Sequence, residues 1–98
     1  MNNAATILQK VHNDQAVLID VRSKLEYKMG HAEGAQNIPL DKIGANIGVD
    51  KDTEVYLYCA SGARSSSAEQ VLRQKGFTNV HNIGGIGNWR AAGGTIVK

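Results

Sequence analysis

The feature that most constrains the fold of this chain is a repeated alternation of short apolar runs with helical patterns. Residues 16–19 are four apolar residues in succession, and residues 54–58 are rich in residues that favour strands. Continuous apolar runs of this length are typical of strands buried on both faces, as in parallel sheets covered by helices. The two runs are therefore predicted to be central strands.

Helix-like and strand-like segments fill the rest of the chain. We predict helices over 4–13, 24–29, 41–47, 65–75 and 86–92, and further strands over 35–38, 79–83 and 95–97. Ser66 and Glu69 have the spacing of a capping box, and Gly84-Gly85 is predicted as a turn. Such alternation favours one α/β domain over residues 1–98, with right-handed crossovers around a mostly parallel sheet.

Composition excludes several classes of function. The net charge is +2 and the eleven Lys and Arg residues form no basic run, so we expect no nucleic-acid partner. No apolar stretch is long enough to span a bilayer, so we expect no membrane partner and a cytoplasmic protein, or a periplasmic one if a signal peptide has been removed. The single cysteine excludes an internal disulfide, and the histidines lack zinc-site spacing.

That cysteine stands where an α/β fold places its chemistry, since ligands bind beyond the carboxyl ends of parallel strands. Cys59 follows the second apolar run and precedes a helix, and the residues between are small. Such a loop lets consecutive N–H groups converge on one anion, and the helix adds its positive end. Cys59 is therefore the candidate catalytic nucleophile, and the candidate substrate-binding residues are Ala60, Ser61, Gly62, Ala63, Arg64 and Ser65.

The alternative is that Cys59 is an inert core thiol, as isolated cysteines often are. The neighbouring glycine, arginine and helix start favour the reactive interpretation, because they lower a thiol pKa. Arg64 in a first helical turn opposes the helix dipole, which indicates an anionic partner nearby.

Other polar residues are predicted to be structural. Asp20 and Arg22 follow the first apolar run and are expected to anchor loops through charge-assisted hydrogen bonds, with no catalytic role for them or for Glu26. His31 is expected to hold the turn at Gly30. Trp89 is expected to pack the last helix.

Three segments together resemble the rhodanese family. The loop Cys-x-x-Gly-x-Arg-Ser at residues 59–65 is similar to its active-site loop. Residues 18–22 (Leu-Ile-Asp-Val-Arg), with 26–27 and 30–39, resemble its amino-terminal signature, and residues 84–89 resemble its Gly-Gly-x-x-x-Trp motif. Ala32 departs from the pattern, because the family usually has a larger aliphatic residue there.

The resemblance implies a five-stranded, mostly parallel sheet flanked by helices on both faces, a persulfide on Cys59, and thiosulfate or a similar small anionic donor. It also implies sulfur transfer rather than phosphate chemistry, because four residues separate Cys59 from Arg64 where related phosphatases and arsenate reductases have five.

The predicted function is accordingly a thiosulfate sulfurtransferase with no metal or organic cofactor. Its acceptor is cyanide, a thiol or a partner protein. Two alternatives remain: a sulfur-carrier or docking module without small-donor turnover, and a cysteine-dependent phosphatase or arsenate reductase.

Overall fold

The computed structural model describes residues 3–98 as one α/β unit. The helices are α1 (Ala4–His12), α2 (Lys24–Met29), α3 (Ala63–Gln74) and α4 (Ile86–Ala91). The strands are β1 (Ala16–Asp20), β2 (His31–Ala32), β3 (Gln36–Asn37), β4 (Glu54–Cys59), β5 (Val80–Gly85) and β6 (Ile96–Val97). Within residues 3–98, no helix is long and apolar enough to cross a membrane.

The main sheet has the order β3-β1-β4-β5, and all its strands run parallel. It separates two apolar cores, one formed with α1 and α4 and the other with α3. The two predicted apolar runs are its central strands, because their side chains are buried on both faces. The predicted fold class, with helices on both faces, is thereby confirmed.

The predicted count of five strands is wrong. The described residues form a four-stranded sheet and a separate antiparallel pair of β2 with β6. Trp89 explains the difference: its ring lies against Gly94, and its Nε1–H donates to Thr95 O at 3.0 Å. This contact directs the end of the chain to His31–Ala32 instead of the sheet edge.

Three local predictions are also wrong. The predicted helix over 41–47 is one 3-10 turn, Leu40–Lys42, because Gly44 interrupts it and the Asn46 side chain accepts from Gly48 N in a turn instead. α3 begins at Ala63, so Ser66 and Glu69 form no capping box. Gly84 and Gly85 belong to β5, which has a shift in its register with β4 at the place where a turn was predicted.

Candidate active site

Cys59 lies at the last position of β4, with its sulfur at the bottom of a backbone cradle. Its Sγ accepts hydrogen bonds from Gly62 N at 2.9 Å and from Ser65 N at 3.4 Å. The residue is 1% exposed, although the loop above it is open to solvent. The exposed residues of that loop are Ala60, Ser61 and Ala63. The thiol is therefore buried, but it accepts hydrogen bonds from main-chain donors. An inert core thiol lacks such donors.

The hydrogen bonds decide the ionisation of the thiol. Burial raises the pKa of Cys59, but the Ser65 hydroxyl and the N–H groups of Ser65, Gly62 and Ser61 stabilise the thiolate and more than offset burial. The pKa of Cys59 consequently lies below its ordinary value. A thiolate is the form of cysteine that attacks electrophilic sulfur.

Among these donors, the amides contribute more dependably than the Ser65 hydroxyl. That hydroxyl has one proton, and Asn82 Oδ1 accepts it at 2.7 Å, whereas Cys59 Sγ lies 3.5 Å away. The Ser65 hydroxyl proton therefore points mainly to Asn82 Oδ1, and the hydroxyl stabilises the thiolate less than the amides do. Ser65 is thus a buried residue that joins the start of α3 to β5.

Glycines allow the loop to close over the sulfur. Gly62 has φ +102°, a left-handed conformation that turns the chain so that its N–H faces Cys59. Gly85 pairs with Cys59 in the sheet, and a Cβ at Gly85 would overlap the carbonyl oxygen of Ala60. The glycine pair at residues 84 and 85 therefore lets β5 approach the loop closely.

Arg64 has an anionic partner within the chain. Its guanidinium donates from Nη1 to Glu26 Oε1 at 2.7 Å and from Nη2 to Glu26 Oε2 at 3.0 Å. The hydrogen bonds from Arg64, with those of Ser23, lower the pKa of Glu26 to about 2. Arg64 therefore lies beside the loop as predicted, but its charge is shared with Glu26.

A second arginine–carboxylate pair, Arg22 with Asp20, is buried behind the loop. Both Asp20 oxygens accept from Arg22 Nε, and Tyr58 Oη donates to Asp20 at 2.7 Å. Arg22 also donates to Gly30 O, and the Tyr58 hydroxyl accepts from Ala32 N at 2.9 Å. The prediction that Asp20 and Arg22 anchor loops is confirmed.

His31 and Trp89 have the predicted structural roles. The His31 ring stacks on Tyr27 with centroids 3.7 Å apart, and its Nδ1 lies 2.8 Å from Tyr27 O across the turn at Gly30. Trp89 is 1% exposed and packs in the core. Within residues 3–98, no group of three or more His, Cys, Asp or Glu side chains could hold a metal ion.

Sequence reasoning missed one residue at the site, Asn82, and one pairing, that of Glu26 with Arg64. Nothing near Asn82 in the sequence marks it, because its contact with Ser65 depends on the register shift between β4 and β5. Glu26 was noticed, but its pairing with Arg64 joins positions 38 residues apart.

Comparison with known proteins extends this description. Residues 3–92 match the family described as Rhodanese-like domain. "Thiosulfate sulfurtransferase PspE" of Escherichia coli is 39% identical over 71 residues, covering 69% of this chain and 68% of that protein. "Uncharacterized protein YqhL" of Bacillus subtilis is 43% identical over 77 residues, covering 76% of this chain.

The Bacillus protein is longer than the region of similarity, and the matched region spans only 61% of its length. Among solved structures, a "rhodanese with anions from E. coli" has a TM-score of 0.77 and 35% identity. That match covers 85% of this chain and 98% of the other.

Proposed function

This chain belongs to the rhodanese family, and on that premise we propose that it is a sulfurtransferase that carries sulfur as a persulfide on Cys59. The observation that carries the proposal is the pair of N–H groups, from Gly62 and Ser65, directed at Cys59 Sγ. The Escherichia coli relative described as a thiosulfate sulfurtransferase supports thiosulfate as the donor.

The first half-reaction loads Cys59. The thiolate attacks the outer sulfur of thiosulfate, an S–S bond forms to Cys59, and the original S–S bond breaks so that sulfite leaves with the electron pair. The persulfide that remains is itself an anion at neutral pH. The Gly62 and Ser65 amides hold the inner sulfur, and the loop N–H groups of residues 60–65, whose exposed members are Ala60, Ser61 and Ala63, stabilise the charge on the outer sulfur.

The second half-reaction removes the sulfur from Cys59. Cyanide or a thiol attacks the outer sulfur of the persulfide, and Cys59 departs as the thiolate that the cradle already stabilises. Atoms and electrons balance between donor and acceptor, so the cycle requires no metal or organic cofactor. In this cycle Arg64, on the first turn of α3, adds positive charge that helps to position the donor dianion.

Steady-state kinetics with thiosulfate and cyanide test the proposal. We expect a double-displacement pattern, in which sulfite appears in a burst equal to the protein concentration when cyanide is left out. Cys59→Ser should abolish both the burst and turnover, while its circular dichroism spectrum stays unchanged.

Two results would overturn the proposal in favour of its rivals. Hydrolysis of an aryl phosphate that disappears in Cys59→Ser would indicate phosphatase chemistry. Loading of Cys59 by a cysteine desulfurase, with no loading by any small donor, would rule out thiosulfate as the donor and indicate a carrier module.

A further inference from the structure

A groove of about 620 Å³ lies between α2 and the segment that follows β3. Its lining combines apolar surface with positive charge. The residues that matter are Tyr27, Ile38 and Pro39 on the apolar side and Lys24, Lys28 and Lys42 at the rim.

The three lysines give the groove a single sign of charge. Lys24 and Lys28 are four residues apart and so lie on one side of α2, and Lys42 faces them from the 3-10 turn. None of the three forms an ion pair with a described residue, and no acidic residue lines the groove. Glu26 on the same helix pairs with Arg64 and does not line the groove.

Two exposed apolar side chains of α2 lie outside the groove lining. Leu25 and Met29 are each 70% exposed, and they are the large hydrophobic residues that the described surface leaves most open. Each follows one of the two lysines in the sequence, so the pair lies about 100° around α2 from Lys24 and Lys28. A ligand that contacts both the groove and these side chains must be larger than a small metabolite, which favours a polypeptide.

The groove lies at the same edge of the main sheet as the Cys59 loop, with β1 between the end of β3 and the end of β4. Ile38 N donates to Asp20 O at 3.0 Å, so the groove wall is attached to the carboxyl end of β1. β1 lies beside β4 in the sheet, with Asp20 paired to Tyr58 next to Cys59. On the other side, Glu26 connects α2 to Arg64 at the start of α3.

We propose that this groove, together with Leu25 and Met29, docks an acidic segment, carrying apolar residues, of a protein that accepts sulfur from Cys59. The inference rests on the proposed function. The docked partner's thiolate attacks the outer sulfur of the Cys59 persulfide. The S–S bond breaks, Cys59 leaves as a thiolate, and the partner's cysteine becomes the persulfide.

A single-turnover transfer experiment tests the docking. The full chain is loaded with thiosulfate, freed of excess donor, and mixed at low salt with a synthetic peptide of alternating Glu and Leu that carries one cysteine. A matched peptide replaces every Glu with Gln, and intact mass follows sulfur moving to each peptide. We expect the acidic peptide to react about tenfold faster, because opposite charges accelerate association.

Variants locate the preference on the surface. The double variant Lys24→Glu with Lys28→Glu should abolish the difference between the two peptides. Arg90→Glu with Lys98→Glu makes the same change in net charge outside the groove and should retain it. Leu25→Ser with Met29→Ser should slow transfer to the acidic peptide, and both side chains are exposed enough for the fold to tolerate the change.

Equal rates for the two peptides, or a preference that survives Lys24→Glu with Lys28→Glu, would overturn the docking proposal. So would a Lys24- and Lys28-dependent preference for an RNA oligonucleotide or an anionic lipid vesicle over the acidic peptide in a binding assay. If the chain does not load with sulfur at all, the proposed function fails. Fluorescence anisotropy with the same labelled peptide then tests the surface independently.

Discussion

Two arginine–carboxylate pairs lie near the candidate active site, and they differ chiefly in burial. The Asp20 side chain is 0% exposed and that of Arg22 is 9% exposed, whereas those of Glu26 and Arg64 are 36% and 38% exposed. Both pairs are bidentate and short. Chemically similar contacts therefore occupy an apolar interior in one case and a solvated surface in the other.

The difference indicates separate roles. Ion pairs in the interior lose hydration that only a complete set of partners replaces, so the Asp20 network holds strands and turns in one arrangement. Exposed pairs contribute little to stability because water screens them. We therefore expect the charges of the Arg64–Glu26 pair to affect the binding of an anionic donor at the Cys59 loop more than they affect folding stability.

The largest expected effect comes from breaking the buried pair. Asp20→Asn should lower the free energy of unfolding by about 3–5 kcal/mol, because it leaves the buried Arg22 charge without its counter-ion. Urea denaturation measures this change. Glu69→Gln, which breaks the exposed pair with Arg73, is the matched control and should change stability by less than about 0.5 kcal/mol. Equal effects of the two substitutions would contradict the distinction.

A smaller loss should follow from removing one member of the buried network. Tyr58→Phe takes the acceptor from the buried Ala32 N–H and a donor from Asp20, and it should lower stability by about 1–3 kcal/mol. Tyr27→Phe is the control, since it removes one hydrogen bond to a part-buried carbonyl. A Tyr58→Phe protein as stable as the wild type would show that the hydroxyl is not needed there.

The exposed pair should affect thiosulfate binding more than folding. Arg64→Gln should raise the KM for thiosulfate several-fold, because it removes a positive charge that attracts the donor dianion. Glu26→Gln should lower the KM, because it removes a negative charge that repels the donor. Both should change the free energy of unfolding by less than about 1 kcal/mol. If the two variants shift KM in the same direction, the pair acts only as a clamp between α2 and α3.

The exposed pair should have its smallest effect on the pH dependence of sulfur loading. The rate of sulfur loading should fall as pH drops through the pKa of Cys59, at a midpoint below that of an ordinary thiol, because protonation removes the nucleophile. The pKa of Glu26 is about 2, so its pair with Arg64 stays ionised above about pH 4 and adds no second step. A second inflection in the pH profile of loading, near the ordinary Glu pKa of 4.5, that disappears in Glu26→Gln would show that Glu26 is not paired with Arg64.

The features that depend on neighbours along the chain could be predicted from the sequence. The alternation of segments specified the α/β class, and the small residues after Cys59 specified a backbone cradle, because both depend on neighbours along the chain. Asp20 and Arg22 were identified as anchors for the same reason, since they are two residues apart.

Long-range pairings were not predictable in this way. The contact of Ser65 with Asn82 depends on the shifted strand register, and the pairing of β6 with β2 depends on the packing of Trp89. The helix predicted over 41–47 does not form, because Gly44 and the turn at Asn46 outweigh the apolar spacing of Ile43 and Ile47.

Intact-mass spectrometry after incubation with thiosulfate tests the central claim most directly. We predict a gain of about 32 Da, one sulfur atom, which cyanide removes and Cys59→Ala abolishes. An unchanged mass at every thiosulfate concentration, in a protein whose Cys59 is reduced and accessible to alkylation, would contradict the claim that the amide cradle receives a second sulfur.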